Sequence, residues 1–199
     1  MKIKRTSTNS LFSAISGKNK FTILLFLTVM VILSGCRHST RQAINDELII
    51  GKVIKVLDGD TYDLLLEGNR KIRVRMEGID APEGGMPYYK KATKYLGELC
   101  QGQTIKVEKT GIDQYGRTLG FSYLNDGREL SREMLKAGYA WHYKQYNTDS
   151  KFAALENEAR RAKRGLWQDA NPIAPWEIRK LRRQGISTKK MFRIDKSNE

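Results

Sequence analysis

Two cysteines and two histidines in 199 residues exclude several kinds of chemistry before any motif is read. If Cys36, at the end of an N-terminal leader, is covalently engaged, Cys100 is the one thiol left. No intramolecular disulfide can then form, and the fold must stand on its packing. Cys100 follows Leu96 by four residues on a helix-like stretch, with no histidine near it in sequence to lower its pKa, so it reads as a buried, inert thiol. His38 and His142 have neither metal-ligand spacing nor an HNH-like or HKD-like context; His38 reads as tether and His142 as an ordinary surface or half-buried residue. There is no internal repeat. Acids are missing from the first twenty residues, which hold Lys2, Lys4, Arg5, Lys18 and Lys20. Long apolar runs are missing too, apart from Phe21 to Leu33, which is shorter than the roughly 20 apolar residues of a comfortable membrane span.

A basic front followed by a short apolar core has the form of a signal peptide. Its end, Leu33-Ser34-Gly35-Cys36, resembles the lipobox of bacterial lipoproteins, in which the cysteine is acylated and becomes the new N-terminus. The expectation is a protein lipidated at Cys36 and held in the cell envelope. It would sit on the outer side of the cytoplasmic membrane or in the outer membrane facing the periplasm, and Arg37 stands where an Asp would signal inner-membrane retention. Loss of residues 1–35 lowers the formal net charge from +14 to +9 and leaves about 164 residues, one domain by size. An excess of this size attracts polyanions, nucleic acid or anionic envelope components, better than it serves solubility alone.

After a polar linker from Arg37 to Asp46, Leu48 to Leu57 is β-branched and bounded by the Asp58-Gly59 turn. Thr61 to Leu66 pairs back, and Gly68-Asn69 makes the next turn. Ile72 to Met76 alternates, which puts Arg73 and Arg75 on one face. Gln103 to Lys109 and Arg117 to Leu124 complete five short strands, the pattern of a small closed barrel. Tyr89, Ala92, Leu96 and Leu99 have helical spacing. Ser131 is placed to cap a second helix, with Leu130 and Leu135 as its hydrophobic staple and Gly138 as its stop. A third helix begins at Thr148 or Asp149, buries Phe152, Leu155, Ala159 and Ala162, and ends at Gly165. Beyond Trp167 the chain reads as irregular, and its basic end, Arg179 to Lys190, shows no apolar periodicity. That end is either a contact for nucleic acid or lipid headgroups or a solvated tail.

Two acidic turns and a basic one carry the chemistry: Asp58-Gly59-Asp60-Thr61, Asp80-Ala81-Pro82-Glu83 and Asp113-Gln114-Tyr115-Gly116-Arg117. Asp60, Asp80 and Glu83 supply oxygen donors for a hard cation and a base for water. Arg75 and Arg117 offer the planar fork that grips a phosphate. Together these are the requirements for hydrolysing a phosphodiester.

Taken in this order, from about Leu48 to Trp167, the segments resemble the staphylococcal nuclease (thermonuclease) family. The resemblance implies an α+β fold, a five-stranded OB-fold β-barrel with about three helices. It also implies a calcium-dependent endonuclease acting on DNA and RNA and leaving 3′-phosphate ends. On this likeness Asp60 and Asp80 are calcium carboxylates, Ala81 offers a backbone carbonyl, Glu83 is the general base, and Arg75 and Arg117 are the phosphate clamps. Tyr115, beside Arg117, is the substrate-stacking candidate; register from Trp141 to Tyr146 is ambiguous, and no aromatic is carried over there. Pro175-Trp176-Glu177-Ile178-Arg179 resembles a C-terminal extension of secreted bacterial members. Two departures stand out: the loop after Glu83 is trimmed to Gly84-Gly85-Met86-Pro87, and Arg73 is a second clamp candidate. The expected organisation is a leader (1–35), a lipidated linker (36–47), the nuclease-like domain (48–168) and a basic extension (169–199), acting as a monomer. The competing class is a non-catalytic OB-fold lipoprotein that binds nucleic acid in the envelope.

Overall fold

The protein's structure, a computed structural model, describes residues 47–188 and Phe192. The leader, Cys36, His38, the linker and Lys189-Lys190 lie outside the described residues. Five strands form where the β-branched runs predict them: β1 (Glu47–Val56), β2 (Thr61–Leu65), β3 (Lys71–Met76), β5 (Thr104–Ile112) and β6 (Thr118–Tyr123). They close into a barrel in the order β1-β2-β3-β6-β5, and the contact between β3 and β6 is its one parallel pair. Strand β1 serves two neighbours, pairing with β5 from Glu47 to Lys52 and with β2 from Lys52 to Val56. A bulge between Val53 and Lys55 bends it from one to the other. Inside, Val53, Tyr62, Leu64, Val74, Met76, Ile105 and Val107 are buried. Alternation along β3 turns Val74 and Met76 inward and leaves Arg73 and Arg75 on the outer face, as expected. Two short strands, β4 (Ile79–Asp80) and β7 (Trp141–His142), pair outside the barrel.

Helix α1 (Tyr89–Cys100) buries Ala92, Leu96 and Cys100. Cys100 is a free, buried thiol that burial pushes up to about 12, so it is inert as expected. Helix α2 (Leu130–Ala137) differs from expectation at its start. Glu129 occupies the cap position, Leu130 is the first helical residue, and Ser131 lies inside the helix, where its hydroxyl donates to the Glu77 carbonyl (2.9 Å). That tertiary bond replaces the cap and staple. Gly138 does end the helix, in the left-handed region at φ 73°, where a Cβ would collide with the Arg164 carbonyl.

Helix α3 (Ser150–Arg161) is capped by Asp149, whose carboxylate accepts the Lys151 N–H (2.8 Å). It ends before Gly165, which leaves Ala162 exposed, and it buries Glu156 among its apolar residues. That carboxylate accepts the His142 N–H (3.3 Å) and pairs with Arg160 and Lys144, tying α3 to β7. His142 is accordingly fully buried rather than at the surface, with Nε2 against Asn147 Oδ1.

The largest departure follows Trp167. The expected irregular tail instead contains a fourth helix, α4 (Pro175–Arg183), with Pro175 in its first turn. Its apolar anchors are few. Ile178 is fully buried, and the Trp176 ring lies parallel to that of Tyr143, centroids 5.3 Å apart. Trp176 joins a second cluster of Trp141, Ala159, Leu166, Trp167 and Ala174. Among the described residues no helix is long and apolar enough to cross a membrane.

Candidate active site

The first acidic turn joins β1 to β2. Asp58 accepts the Asp60 N–H (3.1 Å), and Gly59 lets the turn lie against the neighbouring elements. A Cβ there would stand 2.7 Å from that of Ala81 and 2.9 Å from that of Ala92 in α1. The Asp60 carboxylate then bridges to the second acidic turn, accepting the Thr61 hydroxyl (2.9 Å) and the Ala81 N–H (2.7 Å). Asp80 is fixed by the pairing of β4 with β7, opposite Trp141.

Arg75 knits the two turns together. Its Nη1 donates to the carbonyls of Met76 (2.7 Å) and Ile79 (2.9 Å), its Nη2 to Asp80 (3.0 Å), and its Nε lies 3.1 Å from Asp60. The guanidinium is largely buried, so these charge-assisted contacts act in a poorly screened setting. Arg73, the alternative clamp, is spent on a fork with Asp63 (2.8 and 3.3 Å) on the barrel's outer wall. Glu83 follows Asp80 by three residues and is partly exposed.

Burial and mutual repulsion raise two carboxyls of the cluster. Burial pushes Asp58 up to about 7, and the charge of Asp60 pushes the same way. Asp80 is also raised, by burial first and by Asp60, against the opposing pull of Arg179 and Arg75. Asp58 was not among the residues anticipated from sequence. A set of buried carboxylates that repel one another, with oxygen donors only, has the chemistry to hold a hard cation. Asp60, Asp80 and the Ala81 carbonyl are the donors that would hold it. Among the described residues no three acidic, histidine or cysteine side chains converge as a finished metal cage, and guanidinium groups bridge the carboxylates.

The third turn sits at the end of the β5–β6 hairpin. Asp113 organises it, accepting the N–H groups of Tyr115 and Arg117 (both 2.9 Å) and the Arg117 Nε (2.7 Å). Burial alone would raise the Asp113 carboxyl, but these donors hold it below its usual range. Thr118 pairs with Val74 and Leu119 with Arg75, so Arg117 stands just before β6, at the end of its parallel pairing with β3. Its described partners are Asp113 and the exposed Tyr115 ring, 5.5 Å from the guanidinium, rather than the carboxylates.

Two residues that the sequence reading missed complete the site, and both come from α4. Arg179 straddles Asp80 (2.7 and 3.2 Å) and reaches Glu83 (2.7 Å); Arg182 takes the other Glu83 oxygen (3.0 Å) and the Gly84 carbonyl (3.1 Å). Burial would lower the Arg179 pKa, yet the bonds and charges of Asp80 and Glu83 outweigh it and raise it. The available signal was the three-residue spacing of Arg179 and Arg182 after a proline that starts a helix. Beside them, a cleft of about 260 Å³ is lined by Trp141, Tyr143, Trp176 and the cations Lys144 and Arg160.

Comparison with known proteins identifies the family. The model of the family described as staphylococcal nuclease homologue matches residues 73–169. An uncharacterized endonuclease of Escherichia coli O157:H7 is 44% identical over 128 residues, 64% of this chain and 83% of its own length. One from Haemophilus influenzae is 34% identical over 161 residues, 81% of this chain and 85% of its own. A staphylococcal-like nuclease of Arabidopsis thaliana is 45% identical over 116 residues, 58% of this chain but 36% of that longer protein. These similarities mean that the chain belongs to the staphylococcal nuclease family of phosphodiester hydrolases.

Proposed function

We propose that the protein is a calcium-dependent endonuclease that cuts DNA and RNA, leaves 3′-phosphate ends and works from a lipid anchor at Cys36 in the cell envelope. The observation that carries the chemistry is the meeting of Asp60, Asp80 and Arg75 at the mouth of the barrel, three residues from Glu83. Water is a poor nucleophile and the phosphodiester is anionic, so the site must take a proton, offset charge and hold the attack in line. Glu83 accepts the proton of the attacking water. Arg75 and Arg117 hold phosphate oxygens and stabilise the negative charge that grows on them. The water oxygen ends on phosphorus, the bond to the 5′ oxygen breaks, and that oxygen takes up a proton from solvent. Calcium, when bound through Asp60, Asp80 and the Ala81 carbonyl, supplies charge neutralisation and polarises the phosphoryl group. The excess of basic residues supports capture of the polyanion.

The test is incubation of the full-length protein, in detergent, with plasmid DNA and with RNA, in calcium or in EGTA, followed by analysis of the ends. Cleavage of both with calcium, none with EGTA, and ends that need phosphatase before 3′ extension are expected. Undiminished cutting in EGTA rejects the cation assignment. Binding without cutting under all conditions would move the protein to the non-catalytic class.

A further inference from the structure

We propose that α4 is a clasp on the active site: Arg179 and Arg182 compete with the divalent cation for Asp80 and with the attacking water for Glu83, and turnover requires them to let go. This rests on the nuclease reading for what those carboxylates do. The geometry is specific. Both Asp80 oxygens accept from Arg179, and the two Glu83 oxygens accept one each from Arg179 and Arg182. One guanidinium donor on each Glu83 oxygen occupies acceptor sites that the proton of the attacking water would otherwise use. The Arg179 fork on both Asp80 oxygens likewise competes with a cation for that carboxylate's lone pairs and charge. The charges also match. Two guanidinium groups bring the same positive charge to Asp80 and Glu83 that a single divalent cation brings, so one can replace the other without leaving buried charge uncompensated.

The clasp is held in a way that suits release. Buried Pro175 and Ile178 and the Trp176 ring, between Tyr143 and Trp141, anchor α4 to the body, whereas its hold on the carboxylates is the ion pairs of Arg179 and Arg182 alone. Its exposed side adds Lys180 and Arg183 to Arg179 and Arg182, four cations on nine residues. A nucleic acid at the mouth offers those arginines phosphates in place of carboxylates, and such pairs are at least as favourable for a guanidinium. Cation and polyanion therefore open the clasp together, one by taking the carboxylates and the other by taking the arginines.

The experiment compares the full-length wild type with Arg179→Gln/Arg182→Gln, measuring calcium affinity by calorimetry, calcium dependence of cleavage, and amide exchange across residues 175–184. The double variant should bind calcium about tenfold more tightly, the equivalent of ~1.4 kcal/mol, and need correspondingly less calcium for half-maximal cutting. In the wild type, calcium with a short DNA oligonucleotide should raise exchange in α4. Trp176→Ala, which loosens the helix without removing charge, should shift calcium affinity the same way and stands in if the double variant fails to fold. Equal or weaker calcium binding in a folded variant overturns the clasp, as does increased protection of α4 with calcium and DNA. If the variant binds calcium more tightly but no form cuts nucleic acid, the clasp stands and the nuclease reading falls; if all forms cut at equal calcium, the reverse holds.

Discussion

Replacing Arg75 with lysine keeps a positive charge at the end of β3 and removes the fork. The wild-type guanidinium spans the Met76 and Ile79 carbonyls, Asp80 and Asp60 at 2.7–3.1 Å, four groups in different directions. A lysine ammonium has three donors on one atom and cannot reach all four. At least two contacts are lost around a side chain that is 12% exposed, and hydrogen bonds to charged groups contribute ~1.5–3 kcal/mol each. The retained charge and readmitted water offset part of this, so a net loss of about 2–4 kcal/mol is expected, read as a fall in Tm of roughly 10 °C. Turnover should fall by about 10²–10³-fold, the usual effect of removing one preorganised donor. Arg117→Lys is the matched comparison. Arg117 is more exposed and spends its side chain on Asp113, so its stability should change by less than ~1 kcal/mol while turnover falls comparably. Thermal unfolding and initial rates on DNA at saturating calcium decide it. An Arg75→Lys variant with the wild-type Tm and rates within about threefold would show that the fork positions neither turn nor phosphate.

Asp63 gives a pH test away from the site. The bond from Arg73, with help from the charges of Arg73 and Lys71, holds its carboxyl below the usual range although burial opposes them. The folded state thus binds fewer protons than the unfolded one. The resulting stability is present above the ordinary carboxylate pKa and is lost as pH falls through the folded value. Because both cations are well exposed the effect should stay under ~1 kcal/mol. Urea unfolding between about pH 5 and pH 3 should show a shallower loss in Asp63→Asn, and identical slopes would reject the pairing. For the anchor, Cys36→Ser should release the protein from membranes or block its maturation. Unchanged size and partition, with no acyl label in the wild type, would make the cysteine incidental.

The barrel was legible because its signals are local: β-branched runs of five to ten residues, turns with Gly and Asp between them, and inward alternation along β3. Where tertiary contacts override local preference, reading by pattern failed. Ser131 has the identity of a cap but spends its hydroxyl on Glu77, because α2 runs past the turn after β3. His142 reads as a surface or half-buried residue, yet the pairing of β7 with β4 buries it, where its N–H meets Glu156 of α3 and its ring meets Asn147. The acidic turns were visible as motifs, whereas the bond from Ala81 to Asp60 that unites them is a contact 21 residues apart and has no sequence signature.

The same distinction explains why the sequence gives no sign that the C-terminal arginines reach the acidic turns. Periodicity detects a helix by its apolar face, and that of α4 is short, Pro175, Ile178 and Leu181 among four cations, while its docking on the acidic turns is through charge. Its partners for Arg179 and Arg182 lie nearly a hundred residues earlier, at Asp80 and Glu83. From sequence alone those arginines belong with the other cations of a basic end, suited to any polyanion. In the folded chain they already have anionic partners, Asp80 and Glu83, the carboxylates that the proposed mechanism uses. The basic C-terminus and the acidic turns are therefore one electrostatic unit. A change of charge in either, such as Glu83→Gln, should alter how α4 sits as well as how the site reacts, so a loss of rate in that variant has to be read together with amide exchange in α4 before it is assigned to the base.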